Sequence, residues 1–169
     1  MTITKLKIRV YGDLCLRRKS APVKHMGPSE RLLIKSMMET MYDHKGIGLA
    51  APQVGINEQI FVTDVGDGPL VFINPHITKK RGSEVMEEGC LSLPGVQVQI
   101  KRPQRIFVSY LDPNNSRIER EYDGLLARVI QHETDHLRGK LIIDYVGLRQ
   151  KLKFKKQLKE MRQQSKAIS

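Results

Sequence analysis

His132-Glu133-Thr134-Asp135-His136 is an H-E-x-x-H stretch, and the rest of the chain is best read outward from it. Two imidazoles four positions apart on a helix share one face and can grip a single metal ion. The glutamate beside the first imidazole then sits close enough to take a proton from a metal-bound water, so the pattern is catalytic as well as ligating. The plainer alternative is a solvated or capping histidine pair. The flanks favour the metal. Leu125, Val129, His132 and His136 lie along one helical stripe, and Leu126, Ile130, Glu133 and Leu137 form its neighbour. Both imidazoles and the carboxylate therefore occupy the apolar side of the helix, where burial without a partner is costly. Asp123 is placed to cap the start, and Gly139 to stop the helix after Arg138.

The 169 residues suit one domain with a sizeable core. Forty per cent of them are hydrophobic, but no run approaches the roughly 18 apolar residues of a membrane span. The first residues, Met1-Thr2-Ile3-Thr4-Lys5, lack the apolar run of a secretory signal. With only Cys15 and Cys90, a disulfide framework is not expected and a reducing cytosol is. The net charge of +11 is uneven: residues 148–169 carry eight basic side chains against the single acid Glu160. Such a tail reads first as a solvated helix and second as a surface for a polyanion such as RNA. Phe154, Leu158 and Met161 recur at helical spacing and predict a helix docked by a narrow stripe.

Elsewhere the pattern predicts a helix capped by Ser29, with Leu33, Ser36, Met37, Thr40 and Met41 facing the core and Gly46 and Gly48 ending it. Residues 59–65 and 70–74 read as buried strands around a Gly-Asp-Gly turn. Val96, Val98 and Ile100 alternate with polar neighbours, as do Ile106, Val108 and Tyr110. A strand through Ile118, Arg120 and Tyr122 follows the Asp112-Pro113-Asn114-Asn115 turn. Grouped strands with short connections predict antiparallel pairing and an α+β fold, a single domain whose sheets surround a central metal-binding helix. Residues 1–147 form its catalytic part, and 148–169 its basic helical tail.

A catalytic divalent ion commonly takes three protein ligands and keeps one position open. Downstream of His136 the candidates are Asp144 and Glu160, and no further histidine follows. Upstream, Cys90 stands in Glu88-Gly89-Cys90-Leu91-Ser92-Leu93-Pro94-Gly95, an irregular backbone from which a thiolate could face the helix. The alternative for a lone cysteine is a small buried hydrophobe, which is how Cys15 reads. A third segment, Gly46-Ile47-Gly48-Leu49-Ala50-Ala51-Pro52-Gln53, lets another backbone approach closely, and Gln53 could point an amide N–H at a developing oxyanion.

Taken together, Gly46-Ile47-Gly48-Leu49-Ala50-Ala51-Pro52-Gln53, Glu88-Gly89-Cys90-Leu91-Ser92 and Gln131-His132-Glu133-Thr134-Asp135-His136 resemble the three motifs of peptide deformylases, in the same order. The resemblance implies removal of the formyl group from N-formylmethionine of nascent polypeptides, with release of formate. It implies that Cys90, His132 and His136 hold one divalent ion, Fe2+ in much of the family, with Zn2+, Ni2+ or Co2+ able to replace it in a purified sample. Glu133 would be the general acid/base, and Gln53 with the backbone N–H of Leu91 the oxyanion hole. Ile47, Gly48 and Gly89 would align the peptide as an added strand, and Ile47, Met86, Leu125 and Val129 would line the methionine pocket.

Two positions depart from the pattern: Arg128 stands where an apolar residue is common near the pocket rim, and Gln97 where some relatives carry an arginine. Both bear on peptide preference. The expected partners are N-formylmethionyl nascent peptides and, through the basic tail, the ribosome, without membrane or sequence-specific nucleic-acid binding. The expected location is the bacterial cytoplasm or, for a mature organellar form, the organelle. Two rivals are a zinc endopeptidase using the same helix and a non-enzymatic RNA-binding protein with a structural metal.

Overall fold

A computed structural model describes residues 5–166. The expectations about residues 1–4 and 167–169 lie outside them. The order of elements is α1 (Pro28–Asp43), β1 (Gly48–Ala50), β2 (Ile60–Thr63), β3 (Leu70–Arg81), β4 (Glu84–Glu88), β5 (Val98–Arg102), β6 (Arg105–Leu111), β7 (Arg117–Asp123), α2 (Gly124–Leu137), α3 (Leu148–Lys153) and α4 (Lys155–Lys166). Short 3-10 turns cover Leu14–Arg17, Ala51–Val54 and Ile142–Tyr145.

Five strands form one sheet in the order β1-β2-β3-β6-β7, and β4 pairs with β5 in a separate two-stranded sheet. Every strand pair is antiparallel, as the short connections predict. The α+β class expected from the sequence is the class observed.

α2 lies on the large sheet and is buried along most of its length. Its Ala127, Ile130 and Leu137 pack with Phe61, Phe72, Ile106 and Val108 from three strands. Phe72 stands between Phe61 (ring centroids 4.7 Å apart) and Tyr110 (4.3 Å). Burying such a ring stabilises by about 2–3 kcal/mol. α1 covers the β1-β2 end through Ile34, Met37 and Met41, so the methionine spacing is core packing. A further cluster joins Val98 and Ile100 of β5 to Leu93, Leu141, Ile142, Ile143 and Met161, with Cys90 packed against it. The apolar interior is thus divided, with α2 on one side and the two-stranded sheet on the other.

Several local expectations need correction. α1 is capped by Gly27, not Ser29, because Pro28 takes the first helical position and Glu30 Oε2 reaches back to the Gly27 N–H at 2.8 Å. It ends at Asp43, with His44 as its C-cap and Lys45 in the left-handed region (φ 54°), and Gly48 already belongs to β1. β3 runs on to Arg81 because the chain passes through Asn74 at φ 50° with a register shift and resumes pairing at His76. β4 went unforeseen: Glu-Val-Met-Glu-Glu shows no apolar alternation, and only its pairing with β5 makes it a strand. Asp123 occupies the N-cap position of α2 without a side-chain cap hydrogen bond. The tail helix is broken at Phe154 into α3 and α4.

Candidate active site

Cys90, His132 and His136 converge, and their donor atoms all lie within 4.8 Å of one another. His132 Nε2 is 3.2 Å from His136 Nε2, which is 3.3 Å from Cys90 Sγ. The helical repeat brings the two imidazoles together. Cys90 arrives from elsewhere: β4 ends at Glu88, and the following turn closes when the Leu93 N–H donates to the Cys90 carbonyl at 2.9 Å.

The donor set fits a divalent ion. His132 Nδ1 is 3.0 Å from Glu88 Oε2, and an ionised carboxylate there requires the ring to donate from Nδ1, leaving the Nε2 lone pair toward the other donors. Burial opposes ionisation of Glu88, but hydrogen bonds from His132 and Arg102 outweigh it and bring the carboxyl down to about 2. Burial drives His136 well below the usual imidazole value and favours the neutral ring. One thiolate and two imidazoles suit borderline-soft first-row ions.

Glu133 is 3% exposed, and its Oε2 has no hydrogen-bond partner among the described residues. Burial pushes its carboxyl up to about 7, partly offset by His132. Such a group can both take and give a proton near neutrality. Gln53 sits in the 3-10 turn after β1. Its Oε1 accepts from the Ala50 N–H at 2.9 Å, which fixes the amide so that Nε2 points to Ser92 Oγ (3.2 Å) and Cys90 Sγ (3.6 Å).

A cavity of about 460 Å³ opens beside these groups. Ile47, Gly48, Met86, Gly89, Leu125 and Val129 all line it, together with Gln53, Leu91 and Glu133. It lies between β1, an edge strand of the large sheet, and the end of β4. Leu125, expected in the buried stripe, is 46% exposed because it stands at the mouth.

The downstream ligand candidates fall away. Asp144 forms a bidentate pair with Arg17, and Glu160 is exposed on α4. Arg128 is buried among hydrogen-bond acceptors, not set at an open rim, although it also borders the cavity. Arg102 escaped sequence reading. It is 4% exposed, donates to both Glu88 oxygens (2.6 and 2.9 Å) and to Asp135 (2.8 Å), and stacks over Tyr145. The signal was available, since alternation through Val98 and Ile100 puts position 102 on the same buried face. Cys15 is half-buried near the Pro52 carbonyl, and burial pushes its thiol up to about 12, in keeping with an inert packing role.

Against known proteins, the Polypeptide deformylase family profile matches residues 5–152. A peptide deformylase from Clostridium botulinum is 52% identical over 137 residues, which is 81% of this chain and 93% of the relative. The crystal structure of peptide deformylase from Thermotoga maritima superposes with a TM-score of 0.84 at 48% identity, covering 85% of this chain and 99% of that one. A Synechococcus elongatus peptide deformylase solved in complex with actinonin gives a TM-score of 0.83 at 43% identity, covering 94% and 86%.

Proposed function

The chain belongs to the peptide deformylase family, and from that premise we propose how its own residues carry out the family's reaction, removal of the formyl group from N-formylmethionine of nascent polypeptides. The observation that carries the assignment is the meeting of Cys90, His132 and His136 beside Glu133 on one wall of an apolar cavity.

In our reading Cys90, His132 and His136 hold a divalent ion. When bound, the ion supplies Lewis-acid polarisation of the formyl oxygen and lowers the pKa of water to about 7. Glu133 takes the proton of the attacking water as the new C–O bond forms at the formyl carbon. It then delivers that proton to the amine nitrogen as the C–N bond breaks, so formate and a free amino terminus leave. Gln53 Nε2 and the Leu91 amide are assigned to the oxyanion. Gln53 already has its carbonyl end pinned by Ala50, which fixes the orientation of the amide.

Ile47, Met86, Leu125 and Val129 offer an unbranched apolar side chain a place to lie, which suits methionine. Gly48 and Gly89 leave backbone accessible on both sides of the cavity, where an extended peptide can add as a strand. The endopeptidase alternative has no support, since its downstream ligand is engaged elsewhere: Asp144 is paired with Arg17.

The donor set does not choose the metal, since zinc ranks above ferrous iron in intrinsic affinity. Iron is proposed from the family likeness alone. The two cysteines are unpaired, in keeping with a reducing cytosol, and no described helix is long and apolar enough to cross a membrane. The basic side chains of α3 and α4 motivate a ribosome contact, tested by measuring ribosome affinity after their charge is reversed. The central test is anaerobic formate release from formyl-Met-Ala-Ser, with metal content measured on the same sample. Stoichiometric metal without formate would overturn the proposal.

A further inference from the structure

The three donor atoms straddle the division in the apolar interior. Cys90 packs with the cluster of Leu93, Val98, Ile100 and Met161, whereas the histidines ride on α2, whose apolar side chains pack on the large sheet. The joins across this seam are polar. Gln131 Nε2 donates to the Pro103 carbonyl at 3.0 Å, Arg102 reaches Asp135 at 2.8 Å, and His132 meets Glu88 at 3.0 Å.

Arg128 makes the widest span. It projects from α2 and is 5% exposed. One terminal nitrogen donates to Glu88 Oε1 at 2.8 Å and to the Ile100 carbonyl at 3.0 Å, and the other to the Glu84 carbonyl at 2.8 Å. A single planar fork thus grips both ends of β4 and the middle of β5. Glu88 is saturated as a result. Oε1 receives Arg102 and Arg128, while Oε2 receives Arg102 and His132. Without Arg128, the Glu88–Arg102 pair would keep its internal bonds but lose one of its ties to α2. Glu88 is two residues from Cys90 and touches His132, so freedom there changes the separation of donors that arrive from the two sides.

We propose that Arg128 is a positioning residue for the metal centre: by locking β4 and β5 to α2 it sets the reach of the Cys90 thiolate to His132 and His136. This rests on the reading that those three residues hold the ion. A lysine could not replace it, since one ammonium on a flexible stem cannot meet three acceptors in this fork geometry.

The test uses full-length protein loaded with Co2+ as wild type, Arg128→Met, Arg128→Lys and Ile106→Val, the last a packing variant on the large sheet chosen to match the loss of Tm. The thiolate-to-cobalt charge-transfer band reports Cys90 coordination, and transfer of Co2+ to a chelator reports how firmly it is held. Arg128→Met is expected to release Co2+ about 10–100-fold faster, the range typical of lost outer-shell support, with a weakened band. Arg128→Lys falls between it and wild type, and Ile106→Val stays close to wild type. Wild-type release and band in Arg128→Met would overturn the proposal, and so would equally fast release from Ile106→Val at matched Tm. If Arg128→Met does not fold, Arg128→Lys is judged by the same two readouts. A wild-type protein that binds Co2+ without a thiolate band would overturn the ligand assignment itself.

Discussion

Gly48 has no room for a methyl group. A Cβ there would collide with Glu133 Oε1 and lie 2.8 Å from Val129 Cγ1. The constraint is one of close approach and not of backbone conformation, so Gly48→Ala is expected to fold while displacing the carboxylate. Formate release should drop by about 10²-fold or more, since a small misplacement of a catalytic group costs that much. Near-normal turnover with an unchanged circular dichroism spectrum would refute the contact. Glu133→Ala removes the proposed proton carrier but none of the three proposed metal donors. Its kcat on formyl-Met-Ala-Ser should fall by about 10²–10⁴-fold with metal content unchanged. Retained turnover at full metal loading would disprove the acid/base role. Glu133→Ala in particular separates catalysis from folding, because Glu133 Oε2 makes no hydrogen bond among the described residues.

At the scale of elements, α4 turns out to be part of the core. Met161 is 5% exposed within the cluster that also touches Cys90, with Phe154 and Leu158 packed beside it. Arg162 donates to the Tyr11 hydroxyl at 2.8 Å, and a Cβ on Gly12 would sit 2.8 Å from the Arg162 Cα. The tail therefore lies directly on the segment before α1 and does not fold as a separate unit. Met161→Ala should lower stability by about 2–5 kcal/mol, read by urea unfolding. Deleting residues 148–169 should lower both Tm and formyl-peptide hydrolysis. A deletion variant with wild-type Tm would show that the stripe contributes nothing. The exposed lysines of the same helices face away from this packing, and charge reversal there is expected to spare Tm.

For the whole molecule, a metal held as proposed across the seam would couple folding to ligation. A ligand that binds only the native state stabilises it by about 2.7 kcal/mol at 100 times its Kd. Chelation should therefore lower Tm, and re-addition of Co2+ or Zn2+ restore it. An unchanged Tm after complete metal removal would mean that the seam holds without the ion. Arg17 and Asp144 tie the N-terminal segment to the turn after α2. Burial works against the Asp144 carboxylate, but Arg17 and the Leu141 N–H outweigh it and hold the group below its ordinary value of 3.8. A carboxyl depressed on folding contributes stability above its unfolded pKa and loses it as pH falls through the folded one. Asp144→Asn should thus lower Tm at neutral pH, and the deficit should shrink as pH falls below 3.8 and the folded carboxyl protonates. The effect is expected to be about 1 kcal/mol or less, because both side chains are partly exposed. A deficit that persists in acid would point to packing instead.

What the sequence determined by itself was whatever local periodicity encodes. The i, i+4 spacing of His132 and His136 on an apolar stripe specified one helix face. The alternation through Val98 and Ile100 specified strands, and their short connections specified antiparallel pairing. The three motifs, by their resemblance, pointed to the candidate site residues. Only the tertiary structure decided that Cys90, 42 residues before His132, meets the imidazoles, and that Glu84-Val85-Met86-Glu87-Glu88 is a strand. It alone showed that Arg102 and Arg128 converge on one carboxylate, Glu88. Those facts depend on partners distant in the chain, and a charged side chain reads as solvated until the fold brings it a counter-charge.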